Sequence, residues 1–287
     1  MTINEKKDII EKVKRTLIKA GSYFMQDKIE AYSSAIKREE SNLSKWAMDT
    51  IVENAKLADR NRSPLCDDTG IPHLILEIGK ARSISGEFLD ALCEGVEQGL
   101  RTLPGRPMAI KGNDQERIDQ SGGLDENSEA VIPAPLMIKY INEENTLRLT
   151  VLMQGGGPEI RAKTYRVFHR HCMQTVLDEV ISWAKESAGQ LGCTPCTLAI
   201  GIGRSHYEAS SLMLQAMAEG DYSNQNEYEK YITEEVNKTD VGALGLGGKT
   251  TVLGTFLKIG PQRASGVRIV CMRPCCCMEP RKYSVDL

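Results

Sequence analysis

Nine cysteines constrain this chain more than any other feature of its sequence. They are Cys66, Cys93, Cys172, Cys193, Cys196, Cys271, Cys275, Cys276 and Cys277. The number is odd, and the opening stretch MTINEKKDIIEKVKRTL lacks the unbroken apolar run of a secretion signal, so a disulfide framework is not expected. Clustered thiols that stay reduced are more often metal ligands or catalytic groups. The chain is therefore predicted to be cytoplasmic and to use some of its thiols chemically.

Charge and hydropathy exclude two classes of partner. The 287 residues carry a formal net charge of −3, with acidic and basic residues interspersed, so no basic face for nucleic acid is expected. No run of about 18 apolar residues is present, so no membrane-spanning segment is expected either. Small molecules and other proteins remain the expected partners.

Periodicity predicts an α/β or α+β fold in one domain, residues 1–287, with a mixed sheet and a helical N-terminal part over about 1–60. The predicted helices cover 5–20, 43–58, 87–100, 172–188, a segment that begins after Ser205, and 224–237. The predicted strands cover 74–78, 147–153, 197–202, 250–259 and 267–270. The polar stretch 112–129 is predicted to be a surface loop.

Four segments join a cysteine or a glycine cluster to polar residues beside an apolar run. They are PLCDDTGIP at 64–72, QGGGPEIRAK at 154–163, LGCTPCTLAIGIG at 191–203 and CMRPCCCMEPRK at 271–282. Taken alone, a residue such as Cys66 is more often a small buried hydrophobe than a ligand.

Together and in this order, the segments resemble the α-type subunits of the iron–sulfur hydro-lyases, class I fumarase and L-tartrate dehydratase. The resemblance covers roughly residues 5–285. The matching positions are Cys66-Asp67-Asp68-Thr69-Gly70, Gly155-Gly156-Gly157, Gly192-Cys193-Thr194-Pro195, Leu246-Gly247-Gly248, and Cys277 with Arg281 and Lys282.

The resemblance implies an oxygen-sensitive [4Fe-4S] hydratase or dehydratase acting on a small dicarboxylic acid such as fumarate, malate or tartrate. Its cluster would be held by Cys66, Cys193 and Cys277. Three thiolates leave one iron of such a cluster open as a Lewis acid. The third ligand stays open, because spacing back from Arg281 favours Cys277 whereas spacing forward from the strand at 267–270 allows Cys276.

The resemblance also assigns the substrate site. Asp68 matches an aspartate suited to proton transfer, although an aspartate in DDTG is also a common turn former. Arg106 matches an arginine that grips a carboxylate, for which a guanidinium fork is well shaped. Asp67 and the loop Gly155, Gly156 and Gly157 would face the substrate, the glycines through their backbone N–H groups.

The sequence departs from the family at positions that face the substrate. Asp67 stands where glutamine is usual, and QGGGPE replaces a KGGGS-like loop. No histidine follows His206, although relatives commonly place one before the last ligand. These changes leave the predicted cluster ligands in place and alter the predicted substrate pocket, so the sequence does not restrict the substrate to fumarate or tartrate.

In the family, a β-type domain or subunit completes the active site, and the resemblance of this sequence covers the α-type part. A β-type partner is therefore expected, with two such heterodimers paired. The alternative is a non-catalytic zinc-binding or interaction protein, in which Cys193, Cys196 and the 275–277 cysteines form a structural thiolate site. The segment ALGLGGKT is disfavoured as a nucleotide loop, because the residues before it are polar and those after it are β-like.

Overall fold

The computed structural model describes all residues, 1–287, and the chain folds into two compact units that are interleaved in sequence. Unit 1 comprises Met1–Tyr23, Ala55–Gly155 and Arg281–Leu287. Unit 2 comprises Phe24–Asn54 and Gly156–Pro280.

The regular secondary structure consists of nine α-helices and eight strands. The helices are α1 (Ile3–Ser22), α2 (Gln26–Arg38), α3 (Asn42–Asn61), α4 (Gly86–Thr102), α5 (Asp114–Asp119), α6 (Gly156–Glu159), α7 (Met173–Leu191), α8 (His206–Glu219) and α9 (Glu227–Asn237). The strands are β1 (Ile71–Ile78), β2 (Met137–Tyr140), β3 (Leu147–Gln154), β4 (Lys163–Phe168), β5 (Cys196–Gly203), β6 (Val252–Ile259), β7 (Val267–Cys275) and β8 (Arg281–Asp286).

Unit 1 is built on a mixed four-stranded sheet in the order β2-β1-β3-β8. β1 pairs in parallel with β2 and antiparallel with β3, and β8 pairs antiparallel with β3. Helices α1 and α4 pack against each other beside this sheet. A Cβ on Gly95 would lie 2.6 Å from the Cβ of Val13, so glycine at this position permits the close approach of the two helices.

Unit 2 contains a second mixed sheet in the order β4-β7-β5-β6. β5 is parallel to β6 and antiparallel to β7, which also pairs with β4. All eight residues of β5 are buried, which is typical of a central strand covered on both faces. α8 lies directly on this strand, because a Cβ on Gly201 would lie 2.1 Å from the carbonyl oxygen of Ala209.

These elements confirm the predicted α/β class, with mixed pairing and a helical N-terminal segment. The pairing is distributed over two sheets rather than one. That residues 1–287 act as one catalytic domain stays a prediction. A bilayer-spanning helix is absent, because none of the helices combines enough length with enough apolar character.

Candidate functional site

The segment Cys66–Asp67–Asp68–Thr69–Gly70 joins α3 to β1 in unit 1. The Arg106 Nη1 lies 2.9 Å from the Asp67 Oδ2, and both side chains are largely exposed. The backbone N–H of Arg106 donates to the Thr69 Oγ1 at 3.2 Å. Cys66, Asp67, Thr69 and Arg106 line one surface cavity of about 340 Å³. Unit 1 therefore brings the predicted cluster ligand Cys66 and two predicted substrate residues to the same opening.

Arg281, the first residue of β8, holds the backbone of this segment in place. Its side chain is 2% exposed and donates to three backbone carbonyl oxygens. The Nη1 lies 2.7 Å from the carbonyl oxygen of Asp68 and 3.0 Å from that of Thr69, and the Nε lies 3.2 Å from that of Met153. One guanidinium thus ties the Asp68 turn to the end of β3.

The end of β3 meets the Asp68 turn at two glycines. A Cβ on Gly155 would lie 2.6 Å from the Asp68 Oδ2, so only glycine leaves the carboxylate in this position. Gly70 has a φ of +92°, and a Cβ there would lie 2.6 Å from the Arg281 Nη2. Beside them, the Nε2 of the buried Gln154 has no hydrogen-bond partner. Asp68 and Gly155, predicted as site residues from separate motifs, are therefore neighbours.

Gly156 and Gly157 belong to unit 2, where they begin the short helix α6. Both glycines are exposed, and a Cβ on Gly157 would contact nothing within 4 Å. The close approach that requires glycine is thus observed at Gly155 and not at Gly157.

In unit 2, Cys193 lies in the turn between α7 and β5. The peptide bond Thr194–Pro195 that follows is cis. Thr194 is fully buried and its Oγ1 donates to the carbonyl oxygen of Gly242 at 2.5 Å, while its own carbonyl accepts from the backbone N–H of Leu244 at 3.0 Å. The glycine-rich segment that follows Gly242 therefore supports the Cys193 turn, and no helix follows it as a nucleotide loop would require.

Cys277 lies beside this turn. Its backbone N–H donates to the carbonyl oxygen of Cys193 at 2.8 Å. Its own carbonyl accepts from the hydroxyl of the fully buried Tyr32 at 2.9 Å. Two of the three predicted cluster ligands, far apart in sequence, are therefore joined by a backbone hydrogen bond.

The two preceding cysteines have different surroundings. Cys275 is fully buried at the end of β7, and its burial, the largest influence, raises the pKa of its thiol to about 12 although Arg273 lowers it. Cys276 is half-buried and packs against the hydrophobic core of unit 2. Cys277 is thus the one of the three whose backbone bonds directly to Cys193.

Ion pairs beneath this loop involve Arg273 of β7, which is fully buried. Its Nη1 is paired with the equally buried carboxylate of Glu279, and its Nε lies 3.1 Å from the Glu159 Oε2 of α6. Arg273 therefore links the Cys277–Glu279 loop to Glu159, the last residue of the QGGGPE stretch.

The predicted site residues are divided between the units. Unit 1 holds Cys66, Asp67, Asp68, Arg106 and Gly155, and unit 2 holds Gly156, Gly157, Cys193 and Cys277. Within each unit taken by itself, no group of three or more His, Cys, Asp and Glu side chains is placed to hold a metal ion.

Sequence reasoning missed three residues that position the predicted ones. Arg281 was used only as a marker for the last ligand, and Lys28 and Tyr32 lie on α2, which was not predicted. Four-residue spacing of Lys28 and Tyr32 is a helical signal, but a lysine on the buried face conceals it.

Comparison with known proteins gives the same family throughout the chain. The sequence profile of the family described as fumarate hydratase (Fumerase) matches residues 10–286. The chain is 30% identical to a Methanocaldococcus jannaschii protein assigned as an L(+)-tartrate dehydratase subunit alpha, over 84% of each chain.

Two further relatives have lower identity. A Geobacillus stearothermophilus protein assigned as a class I fumarate hydratase is 24% identical over 86% of this chain, which matches only 49% of that protein. The L(+)-tartrate dehydratase subunit alpha of Escherichia coli is 23% identical, over 87% of this chain and 80% of the relative. The chain therefore belongs to the fumarate hydratase (Fumerase) family, as an α-type hydro-lyase subunit.

Proposed function

We propose that this chain is the [4Fe-4S]-binding α subunit of an oxygen-sensitive hydratase or dehydratase acting on a small dicarboxylic acid of the fumarate, malate or tartrate type. A β-type subunit would complete its active site. Cys66, Cys193 and Cys277 are the proposed cluster ligands.

The observation that carries the proposal is the hydrogen bond from the Cys277 backbone N–H to the Cys193 carbonyl. It supports a shared role for two thiols that the sequence separates widely, and it favours Cys277 over Cys276, which packs on the core. The donor set fits the group, because cysteine thiolates are the usual ligands of such clusters. A structural zinc site would leave the paired Asp68 and Gly155 unexplained.

When bound, the cluster supplies a Lewis-acidic iron that polarises the C–O bond of the substrate. The proposed role of Asp68 is to hold or move a proton, and this role is supported by its carboxylate, which lies against Gly155, and by its backbone, which Arg281 holds. Arg106 would bind a substrate carboxylate through its exposed guanidinium. The proposed roles of Gly155, Gly156 and Gly157 are to let the backbone approach the substrate.

Support for a partner comes from the relatives. Two are named as alpha subunits, and the Geobacillus stearothermophilus protein is about twice as long as the part this chain matches. In this protein, a second polypeptide would supply the part that corresponds to the remaining half of that relative. We propose that two such α–β pairs associate.

Anaerobic purification of the chain with its partner tests the proposal. We expect a brown protein with iron and acid-labile sulfide in equal amounts, whose colour is lost in air. Hydration of fumarate and dehydration of malate and tartrate are assayed on the same sample. A colourless protein that contains zinc would reject the cluster in favour of a structural metal site.

Serine variants test the ligands. Cys66→Ser, Cys193→Ser and Cys277→Ser should each lose the iron, whereas Cys93→Ser and Cys172→Ser, which alter exposed thiols outside the proposed site, should keep it. Cys276→Ser decides the third ligand. If this variant loses the iron and Cys277→Ser keeps it, Cys276 is the ligand instead of Cys277. Circular dichroism of each variant checks that the fold is retained.

A further inference from the structure

Lys28 places a buried ammonium group under the cysteine loop of unit 2. Its side chain is 2% exposed, and its Nζ donates to the carbonyl oxygen of Glu279 at 2.8 Å. The same Nζ lies 4.2 Å from the ring centre of Phe24. One helical turn further along α2, Tyr32 donates to the carbonyl of Cys277. Helix α2 therefore contacts the loop at two points, one charged and one neutral.

The ammonium has no carboxylate partner. Its hydrogen bond goes to the backbone of Glu279, because the carboxylate of that residue is paired with Arg273. A buried charge without an opposite charge is costly, and proteins retain one mainly where an anion is nearby. The Glu279 carboxylate thus acts on Lys28 without a direct ion pair, and a further negative group beside the loop would stabilise the ammonium.

The thiols of the loop are the candidates for that further negative charge. Burial, the largest influence, lowers the pKa of Lys28 to about 8, while negative charge on Cys276, Cys277 and Cys275 would act in the opposite direction and stabilise its ammonium. The negative charge of the buried Glu279 carboxylate acts in the same direction. Negative charge bound at the cysteine loop would therefore stabilise the ammonium form of Lys28.

We propose that Lys28 is the counter-ion of the cluster, held against the Cys277–Glu279 loop so that its positive charge balances the negative charge of the thiolate-bound iron–sulfur core. The inference rests on the proposed function. Net charge near a cluster is one of the quantities that set its reduction potential. A positive charge stabilises the reduced state, which is more negative by one electron, and it opposes oxidation by air.

Lys28 is therefore proposed both to support the loop and to adjust the potential of the cluster. A variant of Tyr32 distinguishes these two roles. Tyr32→Phe removes the hydrogen bond to the Cys277 carbonyl without changing any charge. Lys28→Met removes the charge while keeping most of the side-chain length. If Lys28 only supports the loop, both variants should change the properties of the cluster. If its charge matters, only Lys28→Met should change them.

The test is a reductive titration followed by electron paramagnetic resonance on the cluster-loaded α–β complex. Lys28→Met should shift the midpoint potential to more negative values and shorten the half-life of the visible absorbance in air several-fold. Tyr32→Phe and Lys37→Met, which removes an exposed lysine from the same helix, should keep the wild-type potential. Iron content is measured for every variant.

The outcomes separate the two hypotheses. A wild-type complex without iron and sulfide overturns the proposed function and this role with it. A loaded Lys28→Met complex with the wild-type potential overturns the counter-ion role alone. If Lys28→Met loses the cluster, Lys28→Arg and Lys28→Gln are compared. Cluster loading in Lys28→Arg but not in Lys28→Gln supports the counter-ion role. Equal loading in both variants overturns that role.

Discussion

Asp67 and Arg106 form an ion pair at the opening of the unit 1 cavity. Both side chains are largely exposed, at 82% for Asp67 and 53% for Arg106, so the pair itself adds little to stability. Its importance is chemical, because the Asp67 carboxylate occupies the guanidinium that we propose for a substrate carboxylate. A glutamine, usual in the family at this position, would carry no competing charge.

Replacing Asp67 by glutamine should therefore improve binding of a dicarboxylate. The Asp67→Gln complex is expected to have a KM lower by about two- to fivefold, the range that corresponds to an exposed ion pair of up to roughly 1 kcal/mol. The measurement is steady-state kinetics with whichever of fumarate, malate and tartrate the complex turns over.

Asp114→Asn is the matched control, because Asp114 forms another exposed aspartate–arginine pair in unit 1, with Arg117. Its KM should equal that of the wild type. A KM that stays the same or rises in Asp67→Gln would show that Asp67 does not compete with the substrate for Arg106.

At the scale of elements, β8 connects the sheet of unit 1 to the proposed site. The strand pairs with β3, and its first residue, Arg281, donates to carbonyls of the Asp68 turn. Hydrogen bonds from a charged donor are stronger than those from a neutral one, so loss of this guanidinium would deprive the turn of a strong, buried interaction.

Arg281→Met should lower the free energy of unfolding by roughly 2–5 kcal/mol, the range expected when buried hydrogen-bonding groups lose a charged partner. Chemical denaturation of the chain measures it. Arg148→Met is the comparison, because Arg148 pairs with Asp286 of the same strand at the surface, and such a pair contributes up to about 1 kcal/mol. Equal losses in the two variants would contradict the structural role of Arg281.

The strongly periodic elements could be predicted from the sequence, whereas the short elements and several of the edge strands could not. The predicted helix 87–100 is α4 with its ends extended, and the predicted strand 197–202 is the fully buried β5. Edge strands such as β4 escaped prediction because their exposed faces mix charged and aromatic residues. In 112–129, a surface loop was expected, and a six-residue helix, α5, lies within it with no buried residue.

The candidate site was predictable in its motifs but not in its supports. Cys66, Cys193 and Gly155 were predicted from ordered motifs that resemble the family, and their roles stay predictions. Lys28 and Arg281 act through contacts between residues distant in sequence, and a single sequence carries no signal for such pairs. α2 was missed because its buried face includes a lysine, which periodicity counts as exposed.

At the scale of the whole molecule, the chain passes between the two units four times, at 23/24, 54/55, 155/156 and 280/281. Three of these passages lie next to site residues or their supports: Phe24 and Lys28 follow the first, the glycine loop contains the third, and Arg281 follows the fourth. Gly155, Gly156 and Arg281 thus lie where the chain changes unit, whereas Cys66, Asp68, Arg106 and Cys193 lie well inside a segment of one unit.

Deleting residues 281–287 should affect unit 1 before unit 2. The deletion removes β8 and Arg281, so amide hydrogen exchange should accelerate in β1 and β3 while β5 and β7 keep their protection. Hydrogen exchange followed by mass spectrometry measures both sheets in one experiment. Removing Leu287 alone is the control and should leave β3 protected; uniform loss of protection in both sheets after the longer deletion would contradict the expectation.

Because β8 follows the whole of unit 2 in the sequence, the ribosome delivers the edge of the first sheet only after the second sheet has been synthesised. Until then β3 has an open edge, and the Asp68 turn lacks its guanidinium. Nascent chains therefore hold the aspartate turn in an unfinished state until residue 281 has been synthesised, and assembly of the proposed cluster before that moment would meet an incomplete binding surface.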